Sequence, residues 1–512
     1  MAFNAPPFRI TKHICSIGHP TIRHISGPII SYETRPSIAR KPVINVKHIR
    51  QNPDLYSRNC IERNYKGQSD HPFKIIKLFD EWKALQRSAR GLRERNNNIR
   101  TKLSHAKTFS GREAGDDDLP EGRHSALEEA RQLKQQIGEI EAQEEKLNAE
   151  IEDLAAGLPN LTSTETPVGD QPTVLGYINE HPEPPSFSFD RTWRNHVHIG
   201  NELDLLDFAG AATTSGWGWY YLKNEAALLE QALVQYALSV AIKHGFAVVS
   251  PPSMVYSHIG TACGFRPRDQ NDMQQVYSIQ QSEKDREKGK PELCLAGTAE
   301  IPFASMRADT VMEESDLPLQ IVGSSRCYRA EAGARGVETK GLYRVHEFTK
   351  VEMFGWTMPG APEAELFAKM IATQKEILKN LGLHCRILEM PSTDLGASAV
   401  RKQDIEAFFP SRREKDEGWG EVTSTAICTD YQTRRLRTRV REDASKAGSG
   451  QGKLEYPYTV NGTAMAVPRV LAALLENGWD EKERSVTVPE VLWPWMHGVE
   501  AIRKKRSEAL TQ

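Results

Sequence analysis

Two strands around a polar loop are written into Ser325-Arg326-Cys327-Tyr328-Arg329-Ala330-Glu331, the glycine-rich run that follows to Gly341, and Leu342-Tyr343-Arg344-Val345-His346-Glu347-Phe348-Thr349-Lys350-Val351-Glu352-Met353-Phe354. Side chains alternate across a strand, so Arg329 and Glu331 share one face of the first. Arg344, His346, Phe348, Lys350 and Glu352 share one face of the second. Two arginines, a phenyl ring and two carboxylates make a poor apolar core. They make a good nucleotide face: guanidiniums grip phosphates, a ring stacks on a base, and carboxylates accept from amino groups. A solvated sheet face laced by ion pairs is the other reading. Phe348 taken alone also fits a strand core, and His346 reads as a core or supporting histidine.

Outward from this stretch, helical periodicity marks 224–243 and ends at His244-Gly245. Phe246 to Ser250 reads as a short buried strand halted by Pro251-Pro252. Further strands are expected at 320–331, 342–356, 384–390, 420–430 and 456–460, and helices at 362–381, 401–408 and 464–476. Strands outnumber crossover helices and many adjoin short turns, which favours an α+β fold with a mainly antiparallel sheet. No G-x-G-x-x-G follows a strand and no G-x-x-x-x-G-K-[ST] occurs, so dinucleotide and P-loop sites of those types are excluded.

Toward the N-terminus, Ile75, Leu78, Trp82, Leu85, Ala89, Leu92, Asn96, Ile99 and Leu103 follow a 3-4 spacing. A Gly/Asp-rich turn, Ser110 to Asp118, interrupts it. A second seam runs Ala130, Leu133, Ile137, Ile140, Glu144, Leu147, Ile151 and Leu154, until Gly157 and Pro159 stop it. The pattern predicts an antiparallel coiled-coil hairpin whose helices each project about 50 Å. The first helix carries ten Lys/Arg between Lys74 and Lys107 against Asp80, Glu81 and Glu94, while the second is acidic. Interhelical pairing explains part of this; a basic edge lying along a phosphate backbone is the other reading, with Arg90, Arg93 and Arg100 as its candidates. Residues 1–42 hold scattered Arg and Lys with Glu33 as the sole acid, which suits a mitochondrial transit peptide or a plain polar tail. A Pro-rich connector spans 158–195.

The whole chain of 512 residues has 66 Lys+Arg against 68 Asp+Glu, so a globally basic coat is excluded and any basic surface is local. No apolar run reaches the roughly 18 residues of a membrane span. Seven cysteines without a close pair argue against a disulfide framework or a zinc site.

The pattern Arg329-x-Glu331, loop, Leu342-Tyr343-Arg344-x-His346-x-Phe348-x-Lys350-x-Glu352 resembles motif 2 of class II aminoacyl-tRNA synthetases, specifically of the seryl-tRNA synthetase family. Thr298-Ala299-Glu300 resembles that family's serine-binding motif. Glu421-Val422-Thr423-Ser424 with Asp430 to Arg435 resembles another of its segments, and Asn461-Gly462-Thr463 through Arg469 resembles motif 3. The 224–243 helix with Pro251-Pro252 looks like motif 1. The order agrees over about 44–500. Ala464, Met465, Pro468 and Gly297 depart from the usual residues without removing a charge or hydroxyl.

The resemblance implies a class II fold over 196–512, an N-terminal tRNA-binding arm over 43–157, and a homodimer not bound to membrane. It implies activation of L-serine with ATP and transfer to tRNA(Ser), with Mg2+, in the mitochondrial matrix or, as the alternative, the cytoplasm. Arg329 would hold the α-phosphate beside the serine carboxylate, and Arg344 the outer phosphates. Glu331 would read the adenine amino group between Phe348 and Arg469. Glu421 and Ser424 would carry the metal. Thr298, Glu300, Glu352, Asn461 and Thr463, with Arg329, would shape the serine pocket.

Overall fold

The computed structural model describes residues 42–109, 121–180, 194–266, 274–331, 341–413, 416–443, 445 and 452–504. The leader expected over 1–42 lies, Pro42 apart, outside the described residues, as does the turn at 110–118.

The strands of the main sheet are β1 Thr173–Ile178, β2 Ala247–Val248, β3 Leu319–Tyr328, β4 Glu347–Thr357, β5 Cys385–Glu389, β6 Arg401–Phe408, β7 Trp419–Thr429 and β8 Tyr458–Ala466. They form one eight-stranded sheet in the order β1-β5-β6-β7-β8-β4-β3-β2, antiparallel throughout except for the parallel β2–β3 pair. The principal helices are α1 Pro53–Glu62, α2 His71–Phe109, α3 Glu121–Ala156, α4 His196–Glu202, α5 Asn224–Lys243, α6 Ala361–Asn380 and α7 Val467–Asn477. Period-two alternation divides the work of β4. Val351 and Met353 join Leu229 and Leu233 of α5, Met370 and Ile377 of α6 and Leu471 of α7 in the largest core. Phe348, Lys350 and Glu352 take the opposite face, and farther along it Phe354 and Trp356 pack with Ala299, Ile301 and Phe303 in a second core. The fold is the α+β class with flanking helices that the sequence predicts.

Three local expectations are corrected. Residues 401–408 form strand β6, not a helix. Ile405 and Ala407 turn into the core and Asp404 and Glu406 turn away, an alternation of period two that sheet neighbours on both sides enforce over the helical preference of Arg, Lys, Gln and Ala. The strand after the polar loop begins at Glu347, so Arg344 and His346 lie on the segment leading into it rather than on the strand. The 158–195 connector contains β1, which pairs with β5 and forms the sheet's outer edge.

The arm is a hairpin of α2, 39 residues, and α3, 36 residues. Every seam position among the described residues is buried or half-buried, with Ile75, Ala89, Leu133, Ile137 and Ile151 the most enclosed. At its base Ile75, Ile151, Ala155 and Leu158 pack with Ile49 and Cys60. There Asn160 joins arm to sheet. Its carbonyl accepts from Asn59 Nδ2 at 3.0 Å and Arg63 Nη1 at 2.5 Å, and its Nδ2 donates to the carbonyls of Ser398 and Cys428, both at 3.0 Å.

Candidate active site

Three strands and a helix start deliver one open cleft, lined by Arg329, Glu331, Arg344, Phe348, Glu421, Ser424, Thr463 and Arg469 together with Tyr343 and Lys350. Each arrives for a local reason. Arg329 and Glu331 follow the end of β3, and Glu331 turns with φ +47 into the left-handed region, which aims its carboxylate back at Arg344, 3.6 Å away. Glu421 and Ser424 are three apart and would point to opposite faces of a regular strand. Val422 is an extra residue in the β6–β7 ladder, between the pairs Thr423↔Ile405 and Glu421↔Glu406, and this bulge brings both into the cleft. Arg469 stands in the first turn of α7, whose Pro468 needs no amide partner there. It pairs with Glu421 at 3.1 Å, donates from Nε to Tyr343 O at 3.1 Å and lies 4.7 Å from the Tyr343 ring centre. Burial pushes the Glu421 carboxyl up, but the charges of Arg469 and Lys402 outweigh it and hold the group at about 2. Phe348 packs with Cys327 and Val345, as a strand core residue does, and its ring also lines the cleft, 5.3 Å beneath the Arg329 guanidinium. His346 faces away. It sits among Trp217, Trp219 and Tyr277, while its carbonyl accepts from Arg329 N at 2.9 Å.

Next to the cleft, the residues that the resemblance assigns to a serine pocket form a buried polar cluster. Lys350 Nζ meets Glu352 Oε2 and Thr298 Oγ1, both at 2.6 Å. Thr463 Oγ1 donates to Glu352 at 3.3 Å, and Asn461 Nδ2 donates to Glu300 at 3.4 Å and to Glu352 at 3.5 Å. Gln432 Nε2 donates to Glu300 at 2.6 Å and its own oxygen accepts from Thr459. Burial, reinforced by the Glu352 charge, pushes the Glu300 carboxyl up to about 8. Two carboxylates against one ammonium leave the pocket one positive charge short when both are ionised, and a small ligand with an ammonium and a hydroxyl would supply it.

The N-terminal model of the seryl-tRNA synthetases matches residues 43–162, and the class II synthetase core model for Gly, His, Pro, Ser and Thr matches 277–478. The mitochondrial serine–tRNA ligase of Saccharomyces cerevisiae is 42% identical over 368 residues, 72% of this chain and 77% of that one. The serine–tRNA ligase of Treponema denticola is 34% identical over 88% of this chain and 98% of its own length. The chain belongs to the seryl-tRNA synthetase family. It is a class II serine–tRNA ligase, an enzyme whose substrates are L-serine, ATP and tRNA(Ser). The mitochondrial ligase of Schizosaccharomyces pombe is 36% identical over 89% of this chain and 88% of that one. The seryl-tRNA synthetase of Pyrococcus horikoshii, solved in complex with ATP, superposes with a TM-score of 0.75 at 30% identity, over 90% of this chain and all of that one.

In this ligase the candidates for the nucleotide and for serine fall in adjoining compartments. Those on the arm separate. Arg93 turns inward to Glu144 at 3.3 Å and Glu141 at 3.6 Å, so pairing between the helices accounts for it. Arg90 is exposed and pairs within its own helix to Glu94, and Arg100 is exposed. Lys350, Gln432 and Tyr343 are site residues that sequence reasoning passed over. Lys350 carried a signal, its alternation with Phe348 and Glu352; Gln432 and Tyr343 lay inside quoted motifs with nothing to mark their direction.

Proposed function

We propose that the enzyme charges tRNA(Ser) for mitochondrial translation, forming seryl-adenylate where cleft and pocket meet. One observation carries the placement: Lys350 and Thr463 border both compartments, so an amino acid seated in the pocket presents its carboxylate to the cleft. A serine carboxylate oxygen attacks the α-phosphorus of ATP and pyrophosphate leaves. Arg329 lies between the two anions, where a fixed cation lowers their repulsion as they close. Phe348 and Arg469 hold the adenine, Glu331 reads its amino group, and Arg344 takes the outer phosphates. Thr298, Glu300, Glu352, Asn461 and Thr463 hold serine. In the second step a hydroxyl of the terminal tRNA adenosine attacks the seryl carbonyl and AMP leaves; no side chain is assigned as base.

The residues present fit Mg2+ in the mode in which it arrives with phosphates. Glu421 and Ser424 offer one carboxylate and one hydroxyl on the cleft. Asp404, across the ladder from Ser424, pairs through Oδ2 with Lys402 at 3.0 Å, while its buried Oδ1 has no hydrogen-bond partner among the described residues. Among the described residues no cluster of three or more His, Cys, Asp or Glu forms a cage. Mg2+ would neutralise phosphate charge there.

The residue assignment extends to a division of labour, with 43–157 as the tRNA arm and 196–512 as the catalytic part. A homodimer is supported by Ile242, Val248, Met254 and Tyr256, all exposed on and just after α5 and the sheet-edge strand β2. The mitochondrial setting is supported by the likeness to two yeast mitochondrial ligases. Serine-dependent ATP–pyrophosphate exchange, with threonine in parallel, tests the chemistry; charging of mitochondrial against cytosolic tRNA tests the setting. Exchange absent from folded protein, or equal with threonine, would overturn the first, and a preference for cytosolic tRNA the second.

A further inference from the structure

The segment that returns from the polar loop to β4 is held by a buried chain of hydrogen bonds that begins outside the cleft. Glu476, near the end of α7, has a fully buried side chain. Its carboxylate accepts four donors: His196 N at 3.1 Å, His196 Nδ1 at 2.8 Å, Ser411 N at 3.1 Å and Ser411 Oγ at 2.9 Å. The other ring nitrogen, His196 Nε2, receives the amide of Leu342 at 3.0 Å. A backbone N–H can only donate, so Nε2 must present its lone pair and the ring proton must sit on Nδ1, facing the carboxylate. Glu476 therefore fixes both the orientation and the tautomer of the imidazole. Leu342 is fully buried, so its amide has no water to fall back on. Gly341 adopts φ +83 and passes so close to the ring that a Cβ there would overlap Nε2.

Immediately after Leu342 come Tyr343, Arg344 and Val345, all lining the cleft. The Tyr343 carbonyl is the acceptor for Arg469 Nε. We propose that His196 is a positioning residue for nucleotide binding: oriented by Glu476, it anchors the Leu342 amide and thereby sets Tyr343 and Arg344 against Arg469. The serine pocket is built from other segments, so the effect falls on ATP. The inference rests on the nucleotide reading of the cleft.

Pyrophosphate exchange by the full chain, with ATP and serine varied separately, tests it. His196→Phe keeps the ring shape and loses both nitrogens. It is expected to raise the KM for ATP about tenfold, the scale of one buried hydrogen bond, with the KM for serine within twofold. His196→Gln restores an acceptor that can reach toward Leu342 and should fall between. Ile199→Ala removes a fully buried side chain from the same helix and is no part of the hydrogen-bond chain; it should lower the melting temperature and leave both KM values alone. Equal rises in the two KM values, or an ATP effect of Ile199→Ala as large as that of the histidine variants, would overturn the proposal. Should His196→Phe fail to fold, the split between the two substrates in His196→Gln decides. Loss of exchange by the unaltered chain would instead count against the reading of the cleft, since the relay is judged only on variant-to-parent ratios.

Discussion

Arg329 is proposed to stand where two anions must approach, and among the described residues its guanidinium has no carboxylate ion-pair partner, whereas Arg344 faces Glu331 and Arg469 faces Glu421. Arg329→Ala is expected to slow adenylation by about 10²–10³ with little loss of stability, as for a lost preorganised charge donor; normal adenylation by the variant would remove it from the mechanism. Phe348 needs a gentler change because it is also core. Phe348→Leu keeps most of the apolar volume and loses the ring, so the KM for ATP should rise while the melting temperature holds. If the protein melts early and ATP binding is unchanged, packing is all the ring does. Glu300 is the residue whose proton should be visible. Burial and Glu352 raise its folded pKa to about 8 from an ordinary 4.5. The raised value means the unfolded chain gives up this proton before the folded one, so the group's contribution makes the empty enzyme lose stability as pH climbs from 4.5 to 8. A serine ammonium favours the ionised form, so binding inside that window should release a proton. Calorimetry in buffers of different ionisation enthalpy measures it; heats independent of buffer at pH 6–7 would show that Glu300 keeps one protonation state when serine arrives.

Among the elements, those carrying a long period were legible and those shaped by neighbours were not. The α2 and α3 seams and the α5 stripe announce themselves because burial on one side repeats every three to four residues. Strand β6 does not, since Arg401 to Phe408 is built of good helix formers and becomes a strand only between β5 and β7. The site shows the same division. Its charged residues were legible as residue types, but the bulge at Val422 that turns Glu421 and Ser424 onto one face comes from pairing with a strand misread as a helix. Gln374 of α6 is a further case, invisible in sequence. It is fully buried, and its Nε2 donates to the carbonyls of Ser424 and Thr463, both at 2.9 Å, where the β7–β8 ladder ends at Thr425↔Gly462. Thr463 O keeps a second donor in Thr423 Oγ1, whereas Ser424 O loses this one. Gln374→Leu should therefore cost up to about 1–3 kcal/mol in chemical denaturation, the penalty for one orphaned carbonyl, less the relief of removing the buried Gln374 Oε1, which has no partner among the described residues; an unchanged midpoint would show that this relief offsets the loss or that water satisfies Ser424.

At the scale of the whole molecule the question is what the arm does for a site it does not help to build. Every residue placed against serine or ATP lies at Thr298 or beyond, and the positioning residue His196 also lies outside the arm. The arm meets the sheet through Asn160, which Asn59 and Arg63 hold, while the cluster around Ile75 and Ile151 closes the arm's own base. A deletion that tests the arm must spare that base. Removing 82–147 and joining Glu81 to Asn148 by a short flexible linker leaves Ile75, Leu78, Phe79, Ile151 and Ala155 in place. Exchange should survive nearly intact, and aminoacylation should fall sharply through the KM for tRNA. The finer test separates the arginines by where they point. Arg90 and Arg100 lie outward, so Arg90→Gln with Arg100→Gln should weaken tRNA binding and flatten its salt dependence, each lost phosphate contact removing up to about one unit of slope in log K against log salt. Arg93 is spent on Glu141 and Glu144. Arg93→Gln should lower the melting temperature of the hairpin and leave the salt slope alone, because a buried carboxylate, Glu144, loses its cation while no phosphate contact is lost. The two effects come from opposite sides of one helix, and crossing them gives the decision. If the outward pair leaves binding and slope unchanged while Arg93→Gln shifts both, the RNA runs along the α2–α3 groove rather than the exposed edge. If neither shifts them, the basic surplus of α2 serves only the acidic helix beside it.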